Sequence, residues 1–497
     1  MDFLDPSAER RHQIRLFTGY ALIALIIGVV SIALLYRSYG FGVNRDGDVT
    51  RSGLVFVSSQ PQGADVWLDG KKMPDQTDSR LSLDSGTYAL SVSRAGYIDW
   101  KRTVNVNGGD VQRFDYPLLV PKQLKTTAVG QALSAVTFSS QSPDRRWVVA
   151  GDANRLGVFI VYDLKDPKKP ALSEFVLPST AYSPSAAEHT WGLKEWSTDN
   201  IHMLIKHGYT EAGEAKHEYV LMNRESPEKS RNVTKDIALT PTDEPSLFDR
   251  KVSKYFVYAP SERALRIVSA DGAERGTSAS NVLAYKTFSD DTVLYVTNTY
   301  PAGKPVADKV FVVLQRGLDR QLIRSMPVSE SGYLLDLAKY DGSWYVAVGG
   351  KDAEGVYVYK NPEKLLRGQE VPRPLRFLRI SKPNYIAFSQ NTRFILAQSG
   401  DAYALYDAEA NSIYRYTRSL PMDSPQTHAS WMDGHRLMYV SGGTVSLHDY
   451  DGINGRILMP ANAMHAPFAS PDFRYMFTFV EKDGALQMTK TSFVVEP

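Results

Sequence analysis

The sequence contains no cysteine, and its nine histidines are scattered along the chain. A chain without cysteine has no disulfide framework and no thiol chemistry, and it lacks the strongest class of zinc ligand. Glycine-rich phosphate loops, the HExxH zinc motif and the Gly-x-Ser-x-Gly serine elbow are also missing. We therefore predict no catalytic, cofactor-binding or metal-binding residue in this protein.

An excess of charge of one sign is also missing, because 57 Lys and Arg residues face 55 Asp and Glu residues. This balance favours neither nucleic acid nor an acidic polymer as a partner. The length of 497 residues predicts two or three domains. With 28 Tyr, 27 Pro and 35 Gly but few runs of helical period, the chain is predicted to be all-β after its first forty residues.

One long uncharged segment, residues 17–36 (FTGYALIALIIGVVSIALLY), precedes the β-rich part. At about 1.5 Å per residue it is long enough to cross the roughly 30 Å hydrocarbon core of a bilayer. A cleaved secretory signal is the alternative, but its apolar region is shorter and ends in small residues. This segment ends in Leu34, Leu35 and Tyr36. We predict an uncleaved transmembrane helix at residues 17–36 after a tail at residues 1–16.

The flanking charges predict the orientation of this helix. Arg10, Arg11 and Arg15 precede it, whereas Arg37 alone follows it directly. Positive charge is retained in the cytoplasm, so we expect a single-pass protein of the cell membrane with residues from 37 onward outside the cytoplasm. Residues 37–52 are predicted to be a linker. Its NRDGD stretch has oxygen spacing like part of a calcium loop but fails the EF-hand order, so we interpret it as a solvated turn.

Residues 53–120 alternate in the way short strands do. Ala64, Val66 and Leu68 face one side of a predicted strand, and Asp69-Gly70 is a hairpin turn pair. About six such strands in this short stretch predict a small antiparallel β-sandwich.

This stretch resembles the PEGA domain, a β-sandwich of exported and membrane-anchored bacterial and archaeal proteins. The matching features are the opening strand, Pro61-Gln62-Gly63-Ala64, Val66, Asp69-Gly70, Gly86, Tyr88 and Gly96-Tyr97. The sequence KKMPDQTDSR stands where many members have a Gly-x-Thr-Pro piece, so a different loop is expected there. The resemblance implies a spacer or surface-binding module and not an enzyme.

A repeat follows a predicted connector at residues 120–134. Each copy has a polar turn, a strand rich in aromatic and β-branched residues, a variable loop and a second alternating strand. The eight copies begin at Ser142, Trp196, Val252, Phe288, Tyr340, Phe388, Trp431 and Ser470. Strand repeats of about 40–50 residues are typical of β-propellers. We predict a propeller of about seven or eight blades at residues 121–497.

The copies resemble TolB-like and WD40-like propeller repeats, in which a Phe-Ser-Pro-Asp-Gly type of turn precedes a strand. Ser142-Pro143-Asp144 and Ser470-Pro471-Asp472 keep this turn, and Phe388-Ser389-Gln390-Asn391 approximates it. We expect the Asp or Asn side chain to cap the turn through its own backbone, and the aromatic residue to fill the contact between blades.

Several polar groups are candidate sites, and for each we favour an interpretation without a functional role. These groups are the Ser226-Pro227-Glu228-Lys229 sequence, the glycosylation pattern at Asn232, the oxygen-rich loop at residues 449–455, and His202, His207, His428, His435 and His448. The first lies in a predicted loop, and the pattern at Asn232 is interpreted as a chance match. The 449–455 loop matches a hairpin turn, and the histidines form no recognisable ligand spacing.

We therefore expect a membrane-anchored, outward-facing binding or scaffold protein of the cell envelope. Its expected partners are the lipid bilayer, through the anchor helix, and an envelope protein or cell-wall component. We place partner contact on two predicted loops, residues 209–217 and 300–308, because they are rich in Gly, Pro and charge. The alternative is an exported hydrolase or lyase with a site in the propeller channel, although the aligned repeats give no inward column of acidic residues or histidines.

Overall fold

The structure is a computed structural model that describes residues 6–38, 41–43, 49–289, 291–300, 304–365, 370–423 and 428–495. The chain forms two compact units, Met1–Gln123 together with Val494–Pro497, and Leu124–Phe493. The residues Asn44, Asp46 and Asp48 of the linker turn lie outside the described part of the chain.

The first unit begins with a long apolar helix, α1 (Pro6–Ser38). Its segment Gln13–Ile32 has a mean hydropathy of 2.0, and none of that segment is buried against the rest of the protein. Side chains such as Leu25 and Ile26 are more than half exposed. By length and composition α1 meets the requirement for a membrane-spanning helix.

A β-sandwich completes the first unit. Its strands are β1 (Phe41–Val43), β2 (Val49–Val57), β3 (Asp65–Leu68), β4 (Lys71–Gln76), β5 (Ser79–Asp84), β6 (Gly86–Ser93), β7 (Trp100–Val106) and β8 (Val111–Phe114). One sheet has the order β1-β2-β5 with β8 beside β2, and the other has the order β4-β3-β6-β7. Ala64, Val66 and Leu68 are buried between the sheets, as their alternation predicted.

Two expectations for the sandwich were wrong. Strand β8 pairs with β2 in parallel, so the sandwich is not purely antiparallel. The turn at residues 107–110 carries the chain from β7 to β8 in the other sheet. The sequence KKMPDQ, expected in a loop, forms the edge strand β4; its lysines and proline are typical of protected sheet edges.

In its described residues, the second unit contains eight consecutive four-stranded sheets, which we call blades 1 to 8. Blades 1 and 2 consist of β10 (Val136–Gln141), β11 (Trp147–Asp152), β12 (Val158–Asp163), β13 (Ala171–Val176), and β14 (Ala187–Trp196), β15 (His202–Glu211), β16 (Glu214–Asn223), β17 (Arg231–Asn232). Blades 3 and 4 consist of β18 (Glu244–Leu247), β19 (Lys254–Ala259), β20 (Ala264–Ser269), β21 (Arg275–Ala279), and β22 (Val282–Thr287), β23 (Thr292–Thr297), β24 (Lys309–Arg316), β25 (Asp319–Pro327).

Blades 5 and 6 consist of β26 (Tyr333–Tyr340), β27 (Ser343–Gly350), β28 (Gly355–Lys360), β29 (Arg376–Arg379), and β30 (Tyr385–Phe388), β31 (Phe394–Ser399), β32 (Ala402–Asp407), β33 (Ser412–Thr417). Blades 7 and 8 consist of β34 (Ser430–Trp431), β35 (Arg436–Ser441), β36 (Thr444–Asp449), β37 (Arg456–Pro460), and β38 (Phe468–Ala469), β39 (Tyr475–Lys482), β40 (Ala485–Ser492), β9 (Lys125–Ala128). The short helices are α2 (Val233–Asp236) and the 3-10 turns Ser179–Ala181, Pro227–Lys229, Phe248–Arg250 and Pro362–Leu365.

The blades form a closed ring, the predicted β-propeller, with eight blades. Apolar side chains of neighbouring blades pack between their sheets, as Val161 of blade 1 packs near Met203 of blade 2. A further cluster joins blade 8 to blade 1 through Phe477, Ile160 and Tyr162. Burial between sheets, and not any disulfide, therefore holds the ring together.

The ring is closed by a strand that the sequence did not reveal. Residues 120–134 were expected to be a connector, but Lys125–Ala128 within them is β9, the outer strand of blade 8. It pairs antiparallel with β40, and the hydroxyls of Thr126 and Thr491 lie 2.8 Å apart. The first strand of the propeller thus completes its last blade.

The predicted turn caps are present. In blade 1, Ser142 Oγ accepts the Trp147 amide at 3.0 Å, and Asp144 accepts the Arg146 amide at 3.1 Å. Blade 6 repeats the arrangement, with Ser389 Oγ accepting the Phe394 amide at 3.0 Å. These local bonds explain why the repeats were recognisable in the sequence.

Strand direction defines two faces of the propeller. The upper face carries the connections between second and third strands and those from one blade to the next. The lower face carries the other connections, together with the points where the chain enters before β9 and leaves after β40. This assignment follows from the antiparallel pairing within every blade.

Candidate functional site

Blade 2 projects beyond the upper face. Strands β14, β15 and β16 each have ten residues, whereas β11 and β12 of blade 1 have six. Four additional residues at about 3.3 Å each extend the sheet by about 13 Å. Relative to blade 1, the projection is therefore a regular extension of the sheet, on the face away from the points where the chain enters and leaves the ring.

The projection replaces the loop predicted at residues 209–217. Tyr209 pairs with Lys216, and the turn consists only of Ala212 and Gly213, with φ of 53° and 81°. Two successive positive φ angles define a type I′ hairpin turn. The loop prediction was wrong because Ala is rare at the first of these positions, so the hairpin had no recognisable turn signal.

The outer strand of this blade is very short. Strand β17 has two residues and pairs only with Val220 and Leu221. The outer strands of the other blades have between four and nine residues. The upper half of β16 therefore forms the outer edge of blade 2.

A buried chain of hydrogen bonds lies at the base of the hairpin. Glu218 Oε1 and His207 Nδ1 are 2.8 Å apart, and His207 Nε2 and His189 Nδ1 are 2.9 Å apart. His189 Nε2 is 2.9 Å from the Ala186 carbonyl oxygen, to which it donates. His207 is completely buried and Glu218 is 2% exposed. We call Glu218, His207 and His189 the clamp.

The clamp ties several segments together. Besides His207, Glu218 accepts the Ser183 amide at 2.6 Å and the Asn232 side-chain amide at 2.7 Å. Trp191 stacks on the His207 ring at 4.0 Å, and the Tyr182 ring packs edge-on to it at 5.5 Å. The hairpin is thereby fixed to the inner strand β14, to the connection from blade 1 and to the start of α2.

The clamp has a definite proton count. Its three hydrogen bonds need three protons, whereas two neutral imidazoles supply two, so one further proton is shared among Glu218, His207 and His189. Burial, followed by the neighbouring His207, lowers the pKa of His189. Burial raises the pKa of Glu218, but hydrogen bonds from His207, Asn232 and Ser183 outweigh it and leave that pKa lowered. The hydrogen bonds that Glu218 accepts thus favour its ionised form.

The tip of the hairpin is exposed and mainly acidic. Lys216 pairs with Glu211 at 2.9 Å, and Glu188 on β14 accepts the Thr210 hydroxyl at 2.7 Å. Glu214, Ala215 and Lys216 are exposed to solvent. The clamp therefore supports a rigid element that presents charged side chains and free backbone to solvent.

The other histidines considered from the sequence are dispersed. His202 lies 2.7 Å from Asp199 on the lower side of blade 2, and it points away from the clamp. His428 stacks on Tyr385 at 3.8 Å, and His435 packs against Phe394. Within the described ranges, no group of three or more His, Asp or Glu residues has the arrangement of a metal site.

A second polar interior lies between blades 6 and 7. The rings of Tyr403, Tyr416 and Tyr439 lie between 5.5 and 6.0 Å from the His448 ring. His448 Nδ1 donates to the Asp449 carbonyl at 2.8 Å. Burial lowers the pKa of His448 and raises the pKa of Tyr416 well above its usual value. This cluster keeps its aromatic groups neutral and serves as packing between blades.

The inner strands carry charged residues that the repeat alignment did not reveal. Glu195 of blade 2 accepts the Leu247 amide of blade 3, and burial raises its pKa. Asp336 of blade 5 accepts the Phe388 amide at 3.1 Å and pairs with Lys286 at 3.3 Å. These carboxylates occupy different positions in their strands, which is why no column appeared. Each is used in a contact between blades.

The remaining sequence candidates occupy turns. Ser226 precedes the 3-10 turn Pro227–Lys229, and its amide donates to Asn223 at 2.9 Å. Asn232 is 4% exposed and caps α2, so the glycosylation pattern lies in a buried position. Residues 449–455 form the turn between β36 and β37, in which Asn454 donates to Asp449 at 2.8 Å.

The second predicted contact loop, residues 300–308, follows β23 on the upper face. Residues 301–303 lie outside the described part of the chain. In the remainder, the Val306 amide donates to the Asn298 carbonyl at 2.9 Å. Because it joins the second and third strands of blade 4, this loop lies on the same face as the blade 2 hairpin.

A known protein family matches the β-sandwich of the first unit. The PEGA domain family matches residues 52–120. No curated protein matches the chain significantly.

Solved propeller structures resemble the chain at low sequence identity and low TM-score. The Dos1 propeller is 11% identical over 74% of this chain and 95% of its own, with a TM-score of 0.42. Dipeptidyl peptidase 4 of Porphyromonas gingivalis is 11% identical over 72% of this chain and 57% of its own, with a TM-score of 0.45. Oligogalacturonate lyase in complex with manganese is 10% identical over 74% and 98%, with a TM-score of 0.38. None of these similarities carries an argument about function.

The chain therefore combines a long apolar N-terminal helix, a PEGA domain at residues 52–120 and an eight-bladed β-propeller.

Proposed function

We propose that this protein is a membrane-anchored binding protein of the cell envelope. Helix α1 holds it in the cell membrane, and its remaining domains lie outside the cytoplasm. A partner protein docks on the upper face of the propeller, at the blade 2 hairpin. The PEGA domain acts as a spacer or a surface-binding unit between the anchor and the propeller.

The anchor is supported by α1. Its apolar side chains point in all directions and are exposed, which is unfavourable in water and favourable in lipid. Arg10, Arg11 and Arg15 precede the apolar segment, and Arg37 follows it. This charge bias favours retention of the N-terminus in the cytoplasm.

The observation that carries the binding role is the projecting hairpin. A ten-residue hairpin extending from a blade gains no packing from the rest of the ring at its tip, yet its base is fixed by the buried clamp. Rigid, exposed elements bind with little loss of conformational entropy. The arrangement suits docking of a partner.

The alternative of an enzyme with a site in the channel has one supporting observation, the raised pKa of Glu195. Catalytic acids have such pKa values. However, Glu195 already accepts the Leu247 amide, and Asp336 accepts the Phe388 amide. We therefore favour the binding role.

The topology is tested with tags at both ends and protease treatment of intact cells. Loss of the C-terminal tag with protection of the N-terminal tag is expected. Protection of both tags, followed by loss on lysis, would contradict the proposed location, and a shorter soluble form would identify α1 as a cleaved signal.

Docking is tested by placing a photo-crosslinking residue at Ala212, on the hairpin tip. Leu318 is the matched control, because it is 98% exposed on a two-residue turn of the lower face. We expect a discrete protein adduct from position 212 and none of the same mass from position 318. Equal labelling at both positions would contradict docking at the hairpin.

A further inference from the structure

The hairpin of blade 2 has an open edge. Along β16, the pairs Glu211 with Glu214, Tyr209 with Lys216 and His207 with Glu218 lie opposite one another. In a hairpin with a two-residue type I′ turn, the residues next to the turn exchange both backbone hydrogen bonds, and every second residue does the same. The backbone groups of Glu214, Lys216 and Glu218 therefore point toward β15.

The alternate residues point their backbone groups to the other side. This is confirmed lower in the strand, where the Tyr219 amide donates to Thr234 Oγ1 at 2.8 Å and the Asn223 amide donates to Ser230 Oγ at 3.0 Å. Above Tyr219, the outward amides of Ala215 and His217 donate to no residue in the described ranges, and their carbonyls accept from none.

This edge is a place where the four-stranded blade is incomplete. Strand β17 stops after two residues, although β14, β15 and β16 continue to the tip. Unpaired strand edges readily accept an added strand, which is a common mode of peptide recognition. We propose that an extended segment of the partner protein adds beside β16 as the missing upper part of the outer strand. This inference rests on the proposed function and names its mode of docking.

The side chains along the edge specify the added strand. Glu214 and Lys216 face one side of the sheet, and Ala215 and His217 face the other. Opposite charges across strands are favourable, so a basic residue fits opposite Glu214 and an acidic residue opposite Lys216. Ala215 leaves room for an apolar residue. From its N-terminus, an antiparallel segment therefore has an apolar residue opposite His217, an acidic residue opposite Lys216, an apolar residue opposite Ala215 and a basic residue opposite Glu214.

A second copy of this chain fits the edge less well. The antiparallel register that pairs Ala215 with His217 of the other copy uses all the free backbone groups. It also places the two Lys216 side chains directly opposite each other, and like charges in that position are destabilising. A foreign strand has no such conflict.

The test uses the full chain in detergent and a fluorescent hexapeptide, Thr-Val-Glu-Val-Lys-Thr. The variant Ala215→Pro removes the outward amide and leaves the bonds to β15 intact, because that amide does not point to β15. Ala215→Val is its matched control, since it keeps the amide and enlarges the side chain. A peptide N-methylated on its inward amides is the second control.

We expect the wild type and A215V to bind the peptide, and A215P to bind it about tenfold more weakly or not at all, as expected for loss of backbone bonds. N-methylation should abolish binding. E214K should weaken binding, and exchanging the peptide's lysine for glutamate should restore it. Hydrogen exchange of β15 in A215P verifies that the hairpin still forms. Equal binding by A215P and A215V, binding of the N-methylated peptide, or no binding by the wild type would overturn strand addition.

The same pair of variants separates this inference from the proposed function. If the adduct from position 212 in cells persists in A215P, the partner docks on the hairpin without adding a strand, and only the inference fails. If position 212 gives no adduct in the wild type, docking at the hairpin itself is wrong. A dimer of the chain linked through position 212 would assign the edge to a second copy and would also overturn the proposal.

Discussion

The clamp makes a quantitative prediction about Glu218→Gln. Glutamine keeps the size of the side chain but replaces one acceptor oxygen with a donor NH2 group. The carboxylate of Glu218 accepts from His207, from the amide and hydroxyl of Ser183, and from Asn232. Asn232 has no alternative orientation, because its own oxygen accepts the Lys235 amide at 3.1 Å. A donor therefore faces a donor in the variant.

The cost follows from burial. One buried unsatisfied donor costs about 1–3 kcal/mol, and a lost hydrogen bond to a charged carboxylate costs about 1.5–3 kcal/mol. Because Glu218 is 2% exposed, solvent screens little of this effect. Taken together, these two costs lower the expected local opening free energy of the hairpin by about 3–4 kcal/mol, which is a factor of about a hundred to a thousand.

The assay is hydrogen exchange of the full chain, followed by mass spectrometry of peptides from β15 and β16. E218Q should exchange about a hundred times faster or more in these strands, with no change in blades 5 and 6. Glu214→Gln on the exposed tip is the matched control and should change exchange less than threefold, or about 0.5 kcal/mol. Exchange in E218Q within threefold of wild type would refute the energetic role of the clamp.

Three further predictions follow from other contacts. Gly452→Ala should lower the free energy of unfolding by about 2–4 kcal/mol, because the new Cβ would lie 2.7 Å from the Tyr416 ring at a φ of 84°. Gly484→Ala, at a φ of 77° and with open space around it, should lower it by only about 1 kcal/mol. Equal losses in thermal unfolding would contradict a role for the Tyr416 contact. Arg393→Lys should lower the free energy of unfolding by about 2 kcal/mol, because Arg393 binds the fully buried Asp407 with two hydrogen bonds of 2.9 and 2.7 Å. Arg146→Lys, at a more exposed ion pair, should lower it by less than about 1 kcal/mol. The reverse order in denaturant titrations would argue against this reasoning. Burial lowers the pKa of His448, so as the pH falls the unfolded chain binds a proton at this residue before the folded chain does. The stability from this residue is complete above about pH 6.5 and declines below it by at most about 1.4 kcal/mol per pH unit. His448→Phe should therefore flatten the pH dependence of the melting temperature between about pH 7 and 5, and an unchanged slope would contradict this.

The propeller was predictable because its signal is local. Each turn needs a small hydroxyl and an Asp or Asn within three residues, as in Ser142 with Asp144 or Ser389 with Asn391. The same spacing recurs at Ser197 with Asp199 and at Ser470 with Asp472, whereas the turn at Asp433 keeps only the acidic residue. Enough copies keep the pattern for the repeat to be counted. Alternation in the sandwich, as at Val66 and Leu68, is equally local.

The features that escaped prediction depend on distant pairing. Strand β9 reads KTTA and is exposed along its whole length, so it has no apolar alternation. The clamp brings together His189, His207 and Glu218, which become neighbours only through the register of β14, β15 and β16. His207 was noticed in the sequence, but its two partners were not. No short motif encodes either arrangement.

Closure of the ring by β9 has a consequence for the timing of folding. Thr126 and Thr491 are 365 residues apart, so at about 5–20 residues per second the first is made roughly 20–70 s before the second. During that interval Ile160 and Tyr162 of blade 1 have no blade 8 to cover them, although both are buried in the finished ring. Exposed apolar surface and open strand edges invite aggregation. The nascent chain is therefore prone to aggregation until its final strand, β40, has been synthesised and can pair with β9.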